Sequence, residues 1–593
     1  MTARADAAAG TGGWHGPARL ADGDVRFRLW APDAGAVALE VEGAAPLPMI
    51  REDDGSFAVT TGCAPGARYR YRIDGADLVP DPASRWQPDG VHGPSALVDA
   101  DAYRWRHPQW AGRPWRDTVL YELHVGTCGG YAGVRAQLPR LAAMGITALE
   151  LMPVNAFAGG RNWGYDGVLP YAPAACYGTP DALKALVDEA HGLGLMVFLD
   201  VVYNHFGPDG NYLGRYAGGF FRDDRASPWG QMIDFRRTPV RRYFIDNALM
   251  WLQEYRFDGL RLDAVHAIEP EDFLDALREA VAAAVPPGRH VHLVLENEHN
   301  SASLLARGYT AQWNDDFHNA LHVLLTGEDA GYYADFADDP AAKLARVLGE
   351  GFAFQGERTR GGRARGEPSG ALPPTAFVAF AQNHDQVGNR ALGERLRVLV
   401  DERPLRAALA LTALAPSIPL FFMGEPWGSR APFLFFTDFD APLDAQVREG
   451  RRREFAAFAA FADPGQREAI PDPNDPATFA ASVADIAEAD TGEGAEWSRW
   501  FSALLAVRRE HVQPALDDAR SLGAGVLGPK AVTAAWRIGD RVLRIAVNFG
   551  ATPVALGEAW PQGLEIHAEH RGDDPRQLPP AAFVAQVENA HAD

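Results

Sequence analysis

Three acidic residues in this chain of 593 residues each follow an apolar run typical of a buried strand. Asp263 follows "GLRL", Glu296 follows "HLVL", and Asp385 follows "AFVAFAQNH". Carboxylates gathered in one place can cleave a glycosidic bond, because one attacks the anomeric carbon while another protonates the leaving oxygen and then activates water. A strand-end acid can also simply cap the next helix, but three acids at equivalent positions favour a shared site.

Arg261 and Asp263 lie two residues apart, so on a strand their side chains share one face. Two ions on an otherwise apolar face are costly unless they pair or act. A guanidinium beside a carboxylate lowers its pKa and so keeps a nucleophile ionised. Glu296 follows the apolar run "HLVL", and an apolar environment suits an acid that must hold its proton. The pattern therefore suits Asp263 to the nucleophile's role and Glu296 to the proton donor's.

Other polar and aromatic side chains fall near the same strand ends. His205 and His384 can hydrogen-bond sugar hydroxyls, and Tyr165 and Trp163 offer flat faces for a pyranose ring. Asp200 is expected to order the site from below rather than to contact sugar. These positions predict a carbohydrate-binding surface around the three acids.

Eight short apolar runs, several of them separated by helical patterns, are spaced along the middle of the chain. Apolar strands alternating with helices are typical of a closed parallel barrel, whose working residues lie at the carboxyl ends of the strands. The sequence therefore predicts the α/β class with a (β/α)8 TIM barrel as the catalytic domain. The runs occupy residues 118–126, 146–154, 195–205, 257–266, 290–298, 311–320, 376–385 and 418–427.

Short alternating strands precede and follow the barrel, as in "VRFRLWA" before it and "RVLRIAVNFG" after it. We therefore expect an N-terminal β-sandwich over residues 1–112, a barrel with loop insertions over 113–515, and a C-terminal β-domain over 516–593. The N-terminal domain could bind glucan, but a structural role or a wall of the substrate cleft is favoured.

Helix signals are clear in two of the connections. Residues 179–194 begin with Thr179 as N-cap followed by proline, and residues 238–259 repeat that pattern from Thr238. A last helix is expected at about 496–510. The segment "TRGGRARGEPSG" (359–370) is expected to be a mobile loop, since it is rich in glycine and charge.

The formal net charge of −22 argues against binding to the phosphate backbone of nucleic acids, which needs a positive face. Three scattered cysteines, Cys63, Cys128 and Cys176, indicate neither a disulfide framework nor a zinc site. No run is long and apolar enough for a membrane span, and no signal peptide is visible. We expect a cytoplasmic protein that needs no cofactor and no metal; its oligomeric state cannot be read from these patterns.

Four segments resemble, in order, the signature segments of the α-amylase family, glycoside hydrolase family 13. Each is weak alone, but together they are specific, and the resemblance covers the barrel directly and implies β-domains on both sides of it. The segments are "DVVYNH" (200–205), "GLRLDAVH" (259–266), "LENE" (295–298) and "QNHDQ" (382–386).

The resemblance implies a role for each matching residue. Asp263 corresponds to the nucleophile, Glu296 to the proton donor and Asp385 to the acid that stabilises the transition state. Glu298 is the less favoured acid, because it lies two residues further into the loop. The implied substrate-binding residues are Arg261, Leu262, Ala264, Val265, His266, His205, Tyr165, Trp163, His318, His384, Gln386, Val387, Gly388 and Asn389.

Within the family, stretches such as "WNDDFHNALHVLLTGE" (313–328) and "NHDQVGNR" (383–390) are similar to the members that release trehalose. The implied reaction is retaining hydrolysis of the α-1,4 bond beside the terminal α,α-trehalose unit of maltooligosyltrehalose. One departure is Pro426, which follows Glu425 where a second acidic residue is expected. It lies outside the catalytic set, so we expect the reaction to be unaffected.

The nearest alternative is a glucan branching enzyme, which transfers the glycosyl group to a sugar hydroxyl; "DGV" (166–168) argues against it. A plain α-amylase or debranching enzyme is a further alternative. A non-catalytic binding or scaffold protein is disfavoured, because all three acids are present. His266 and Asn204 match calcium-binding positions of some relatives, but local hydrogen bonding is favoured for both, and His318 could simply cap a loop.

Overall fold

The computed structural model describes residues 15–590 except 228–229, 456–462, 558–559 and 561–562. Two antiparallel sheets form its N-terminal part, with the orders β1-β2-β6-β5 and β4-β3-β7-β8, and β9 pairs with β7. The strands are β1 (Ala18–Arg19), β2 (Val25–Trp30), β3 (Val37–Val41), β4 (Leu47–Pro48), β5 (Ile50–Arg51), β6 (Ser56–Thr61), β7 (Arg68–Ile73), β8 (Asp77–Val79) and β9 (Ser95–Ala96).

Buried and more exposed residues alternate along these strands, and the buried ones form the core of the N-terminal sheets. Val25, Phe27 and Leu29 are buried on β2, while the residues between them are not. Since successive side chains on a strand point to opposite faces, this period of two buries one face of the sheet. Tyr69 and Tyr71 on β7 belong to the same buried cluster, so the two sheets share one core.

A closed barrel of eight parallel strands follows, in the order β10-β11-β14-β17-β18-β19-β20-β21. All eight predicted runs contain one of these strands, so the predicted TIM barrel is confirmed. Its strands are β10 (Leu120–Leu123), β11 (Ala148–Leu151), β14 (Met196–Val201), β17 (Gly259–Leu262), β18 (His292–Leu295), β19 (Ala311–Trp313), β20 (Phe377–Ala379) and β21 (Ile418–Phe422); its loops carry the hairpins of β12 (Asn155–Ala156) with β13 (Leu169–Pro173) and β15 (Phe221–Ser227) with β16 (Gly230–Ile233).

The barrel interior has an apolar floor below a charged layer. The floor is Leu120, Ala148, Met196, Phe198, Val294, Ala311, Trp313, Val378, Phe380, Ile418 and Leu420. Two residues further along the same strands, on the same face, come Glu122, Glu150, Asp200 and Glu296. Charged side chains thus enter the barrel only towards the carboxyl ends of the strands, above a floor that excludes water.

Helices surround the barrel and fill its connections. They are α1 (Gly130–Met144), α2 (Pro180–Gly192), α3 (Thr238–Gln253), α4 (Asp272–Ala284), α5 (Ala302–Ala306), α6 (Asp315–Thr326), α7 (Pro340–Glu350), α8 (His384–Gly388), α9 (Leu396–Leu399), α10 (Glu402–Leu414), α11 (Leu443–Phe455), α12 (Pro464–Glu468), α13 (Pro476–Ala481) and α14 (Gly492–Val507). Within the described residues, no helix is long and apolar enough to cross a lipid bilayer.

The two helix starts predicted from threonine differ. The Thr179 side chain accepts a hydrogen bond from the Ala182 amide, so its prediction as the N-cap of α2 is confirmed. Thr238 is instead the first residue of α3, whose N-cap is Arg237 without a side-chain cap bond. The prediction for Thr238 was wrong by one position, because proline at the second residue already fixes a helical start.

The segment 359–370 was expected to be mobile, and the structure shows the contacts that this segment makes with the rest of the protein. Arg358 and Ala364 form an antiparallel bridge. Arg365 donates to buried Asp316 at 2.6 Å, and the Gly366 amide donates to the carbonyl of His299 at 3.0 Å. A buried carboxylate needs such a partner, so Arg365 anchors this segment to Asp316, while its mobility stays a prediction.

A five-stranded sheet of order β22-β23-β24-β28-β26 closes the described chain, beside the pair β25-β27. The strands are β22 (Arg520–Gly528), β23 (Ala531–Ile538), β24 (Arg541–Asn548), β25 (Val554–Ala555), β26 (Leu564–Glu569), β27 (Gln577–Leu578) and β28 (Ala582–Asn589). The presence of β-structure on both sides of the barrel is as expected, whereas the domain boundaries at 112/113 and 515/516 stay a prediction.

Arg508 joins the end of α14 to the barrel. Its buried guanidinium donates to the carbonyls of Ala413 and Ala415, both at 2.8 Å, and to that of Ser417 at 2.7 Å. These carbonyls extend from the last turn of α10 to the residue before β21. Burial lowers the pKa of Arg508 to about 9 because it disfavours the charged guanidinium. The hydrogen bonds to the three carbonyls offset part of this cost.

We expect Arg508→Met to lower the free energy of unfolding by about 3 kcal/mol or more, because three buried carbonyls lose their donor. The shift is measured by thermal or urea unfolding followed by circular dichroism. The matched control is Arg509→Met, since Arg509 is exposed on the next position. Equal stability of the two variants would contradict this role for Arg508.

Candidate active site

The three predicted acids lie at the carboxyl end of the barrel. Asp263 follows β17, Glu296 follows β18, and Asp385 is on the short helix α8 that follows β20. The backbone brings the first two loops together, since the Val265 amide donates to the carbonyl of Glu296 at 3.0 Å. The barrel thus places all three at one rim, as such folds place their catalytic residues.

Arg261 lies under the nucleophile candidate and has no exposed surface (0%). Its Nη1 donates to Oδ1 of Asp263 and to Oδ2 of Asp200, both at 2.7 Å, and its guanidinium packs over the ring of Trp313 at 4.1 Å. One buried cation therefore serves two carboxylates. Burial raises the pKa of Asp200 to about 6, and the Asp263 charge adds to this, while Arg261 opposes it.

Glu296 is set up as an acid. Burial raises the pKa of its carboxyl well above the ordinary value, with the charges of Asp263, Asp315 and Asp385 adding to the effect and Arg261 opposing it. A carboxyl that keeps its proton near neutral pH can act as a general acid.

One oxygen of Glu296 is held by the backbone. Its Oε2 accepts a hydrogen bond from the Ala264 amide at 2.6 Å. Ala264 has φ +42°, a left-handed conformation that a residue with a Cβ rarely adopts. Such strain persists where the surroundings enforce it, and it is frequent at functional sites. Here the strained residue directly follows Asp263, and its amide holds Oε2 of Glu296.

His384 connects Asp385 to the barrel interior. Its Nδ1 lies 2.5 Å from Oε1 of Glu122, and its Nε2 lies 3.3 Å from Oδ1 of Asp385. Burial favours neutral imidazole, but the charges of Asp385 and Glu122 outweigh it and raise the pKa of His384 well above the ordinary value. Burial likewise disfavours a charged Asp385, and the His384 cation outweighs this, so the pKa of Asp385 is lowered. The pair is therefore ionised.

Tyr165 and His205 complete the wall beside this pair. The Tyr165 hydroxyl donates to Oδ2 of Asp200 at 2.7 Å and lies 2.7 Å from Nε2 of His384, on whose ring the phenol stacks at 5.1 Å. His205 Nε2 donates to the carbonyl of Tyr165 at 3.0 Å. Asp200 thus orders the site from below, while His205 fixes the loop of Tyr165.

Trp163 does not offer the open face that was expected. It is only 4% exposed, its indole stacks on Phe433 at 5.2 Å, and its Nε1 donates to the carbonyl of Leu434 at 2.9 Å. Gly388 packs on the same ring, where an added Cβ would lie 2.1 Å from Cζ2. The expectation of a sugar-stacking face on Trp163 is corrected to a packing role.

Several other expected contact residues point into the protein. The side chains of Leu262, Ala264, Val265 and Val387 are buried, so a substrate contact at these positions is left to the backbone. His318 is buried as well: its Nδ1 donates to the carbonyl of Ala381 at 2.6 Å, and burial lowers its pKa well below the ordinary value. This contact makes His318 a loop-holding residue, the alternative raised from the sequence.

The remaining predicted residues lie at the rim. His266 Nδ1 accepts from the Glu298 amide at 3.3 Å. Gln386 Nε2 donates to Oδ1 of Asp315 at 3.2 Å, and Asn389 Nδ2 donates to Oδ1 of Asp385 at 3.2 Å. Among the described residues, no group of three or more His, Cys, Asp or Glu side chains is arranged to hold a metal ion.

Sequence reasoning missed three acids around the site. Asp315 is the first residue of α6, two positions after the end of β19, and burial together with the Asp385 charge raises its pKa to about 6. Glu122 and Glu150 are paired in register on β10 and β11, and burial raises the pKa of Glu150 well above its ordinary value. For Glu122 and Glu150 the signal was available, since each is a lone acid on an apolar strand.

The chain is similar to known proteins along nearly all of its length. Residues 94–218 match the family described as "Alpha amylase, catalytic domain" and residues 519–584 match "Domain of unknown function (DUF3459)". The malto-oligosyltrehalose trehalohydrolase of Deinococcus radiodurans is 42% identical over 569 residues, which cover 92% of each chain. A 1,4-alpha-glucan branching enzyme of Photobacterium profundum is 34% identical over 286 residues, only 43% of this chain and 40% of that one.

Among solved structures, a crystal structure titled as a putative alpha amylase from Salmonella typhimurium has a TM-score of 0.92 and 42% sequence identity, covering 97% of this chain and all of that one. The branching-enzyme alternative matches less than half of the chain, whereas the trehalohydrolase match extends over the barrel and both β-regions. The chain is a glycoside hydrolase and belongs to the malto-oligosyltrehalose trehalohydrolase family, within the α-amylase family, glycoside hydrolase family 13.

Proposed function

We propose that this protein cleaves the α-1,4-glucosidic bond next to the terminal α,α-trehalose unit of maltooligosyltrehalose, with retention of configuration, and releases trehalose. The observation that carries the chemistry is the pairing of Asp263 with the buried Arg261 beside Glu296, whose pKa is raised. An ionised carboxylate and a protonated one on neighbouring strands are what a retaining glycosidase uses. The substrate is taken from the names of the relatives.

In the first step we assign Asp263 as the nucleophile. Its carboxylate oxygen attacks the anomeric carbon of the glucose adjoining trehalose, while Glu296 gives its proton to the glycosidic oxygen. The carbon–oxygen bond breaks, trehalose leaves with that proton, and the glucan chain remains as an ester on Asp263. Nη1 of Arg261, which donates to Oδ1 of Asp263 at 2.7 Å, holds this carboxylate in place before the bond forms.

In the second step Glu296, now a carboxylate, takes a proton from a water molecule. The resulting hydroxide attacks the same carbon from the face that trehalose left, the ester bond to Asp263 breaks, and the glucan is freed with its original α configuration. Two inversions therefore give net retention. The loss and recovery of the Glu296 proton keeps the protein unchanged over the cycle.

We assign Asp385 to the transition state, in which the ring carbon and oxygen share positive charge. The proximity of His384 keeps Asp385 ionised, so its charge can stabilise that cation and accept sugar hydroxyls. Tyr165 stands at the same wall with one ring face already covered by His384. We propose that the surrounding subsite is shaped by Arg261, His205, His266, Gln386 and Asn389. We also propose that the protein is located in the cytoplasm.

The proposed reaction is tested by comparing maltotriosyltrehalose with maltopentaose, two substrates of five glucose units. We expect free trehalose from the first and much slower cleavage of the second, because only the first carries the 1,1-linked pair. Products are followed by anion-exchange chromatography. Formation of α-1,6 linkages from amylose would replace the proposal by the branching reaction, and equal rates on both substrates would indicate a plain amylase.

The residue roles are tested with Asp263→Asn and Glu296→Gln. We expect Asp263→Asn to lower kcat by about 10⁴-fold or more, as the loss of a catalytic nucleophile does, and Glu296→Gln by about 10²- to 10⁴-fold. Thermal unfolding checks that both variants fold. Glu298→Gln is the matched control and keeps most of the activity, since Glu298 is exposed. An active Asp263→Asn would refute the assignment.

The pH dependence tests the proton donor. We expect kcat/KM to fall as pH rises through the raised pKa of Glu296, because only the protonated form can donate. A substrate with fluoride as leaving group needs no proton, so α-maltotriosyl fluoride should lack this alkaline decline. If both substrates lose activity at the same alkaline pH, the decline belongs to another group.

A further inference from the structure

Arg451 reaches from α11, outside the barrel, to the helix that carries Asp385. Its guanidinium, only 8% exposed, donates from Nη2 to the carbonyl of Gly388 at 2.6 Å and to that of Arg390 at 3.2 Å. These two carbonyls flank Asn389 at the end of α8. One side chain from a distant helix thus grips the chain on both sides of Asn389.

The end of α8 needs such a partner. The last carbonyls of a helix have no partner within the helix, and they face outward at the negative end of its dipole. In α8, a helix of five residues, the amides of Asn389 and Arg390 bind the carbonyls of Asp385 and Val387, and the carbonyl of Gly388 receives its donor from Arg451. A cation that binds the last ones both satisfies them and fixes the direction in which the following residue points.

That following residue acts on the catalytic rim. The Asn389 side chain donates from Nδ2 to Oδ1 of Asp385 at 3.2 Å, the same oxygen that lies 3.3 Å from Nε2 of His384. The orientation of the Asp385 carboxylate is therefore set by His384 on one side and by Asn389 on the other. Asn389, in turn, is held through its neighbouring peptide groups by Arg451.

The guanidinium itself has little freedom. It packs over the rings of Phe435, at 5.4 Å, and Phe455, at 4.7 Å, while Nη1 donates to Glu454 at 3.1 Å. Phe435 lies edge-on against Trp163 at 5.1 Å. Burying a charged side chain is costly. A guanidinium that is packed and hydrogen-bonded in this way is suited to holding its partner groups in a fixed position.

We propose that Arg451 is a positioning residue for the reaction: by holding the peptide groups around Asn389 it aims the Asn389 amide, and through it the Asp385 carboxylate, at the sugar. This inference rests on the proposed function only in that Asp385 acts on a glucan. Arg451 touches no substrate in this role. Its loss is felt in the transition state, where Asp385 acts.

The test is a double-mutant cycle of Arg451→Ala and Asn389→Ala, with kcat and KM measured for each variant on maltotriosyltrehalose and on maltopentaose. We expect Arg451→Ala to lower kcat and kcat/KM together by about 10- to 100-fold, since a displacement of an ångström can cost about that much. The double variant should be no slower than Asn389→Ala alone, because Arg451 acts through that residue.

Two further variants frame the result. Arg453→Ala is the matched control, an exposed arginine on the same helix, and it should leave kcat unchanged. Arg451→Lys, which keeps the charge but cannot grip two carbonyls with one fork, should fall between wild type and Arg451→Ala. If Arg451→Ala does not fold, the Lys variant carries the cycle in its place.

A merely structural Arg451 gives a different result. It would lower the unfolding temperature while kcat per folded molecule stays at the wild-type value, or its effect would multiply with that of Asn389→Ala; either outcome overturns the inference. Failure of the proposed function is separate. A wild type that cleaves maltopentaose but releases no trehalose would refute the trehalose-releasing reaction, and the cycle on maltopentaose would still decide the role of Arg451.

Discussion

The interaction on which the site depends is the buried guanidinium of Arg261 between two carboxylates. It binds Asp263, which faces the substrate side, and Asp200, which lies inside the barrel, with one nitrogen at 2.7 Å from each. A buried ion pair adds little to stability when its desolvation is counted. Its value here lies in geometry: the Asp263 carboxylate is held in place by Arg261 before any substrate arrives. The apolar floor below, with Trp313 against the guanidinium, excludes the water that would weaken this attraction.

A second buried pair is built in the same way. Glu122 accepts from both the ring and the amide of His384, at 2.5 and 2.9 Å, and the resulting imidazolium faces Asp385. In both pairs an interior carboxylate orients a cation, and the cation orients an acid at the rim. Glu296 lies between these arrangements and responds in the opposite direction, because the surrounding negative charges and its own burial raise its pKa. One layer of the barrel thus produces ionised and protonated carboxyls side by side.

Much of this could be predicted from the sequence, and the reasons are local. Apolar runs bounded by turns locate the barrel strands, and the two-residue spacing of Arg261 and Asp263 predicts their pairing. What escaped prediction depends on distant partners. Trp163 looks like a sugar platform until Phe433, 270 positions further along, covers its ring. The composition of segment 359–370 likewise gives no sign that Arg365 binds Asp316 of α6.

The acids missed by the sequence have a related explanation. A single Glu on an apolar strand, such as Glu122, gives no hint of which cation it will meet, because its partner His384 comes 262 residues later. The barrel closes through β21, which pairs with both β10 and β20, and this closure brings Glu122 within reach of the helix that follows β20. The site is therefore specified by strand order as much as by motif.

The Glu122–His384 pair has a consequence for how this enzyme can be divided or recombined. One partner lies on the first strand of the barrel and the other at the start of α8, after the seventh strand, so an exchange of half-barrels takes the two residues from different parents. A hybrid that inherits only the imidazole or only the carboxylate carries an uncompensated charge in its interior. An exchange of this kind therefore preserves the pair only where the second parent supplies the matching partner, although the two positions are far apart in the chain.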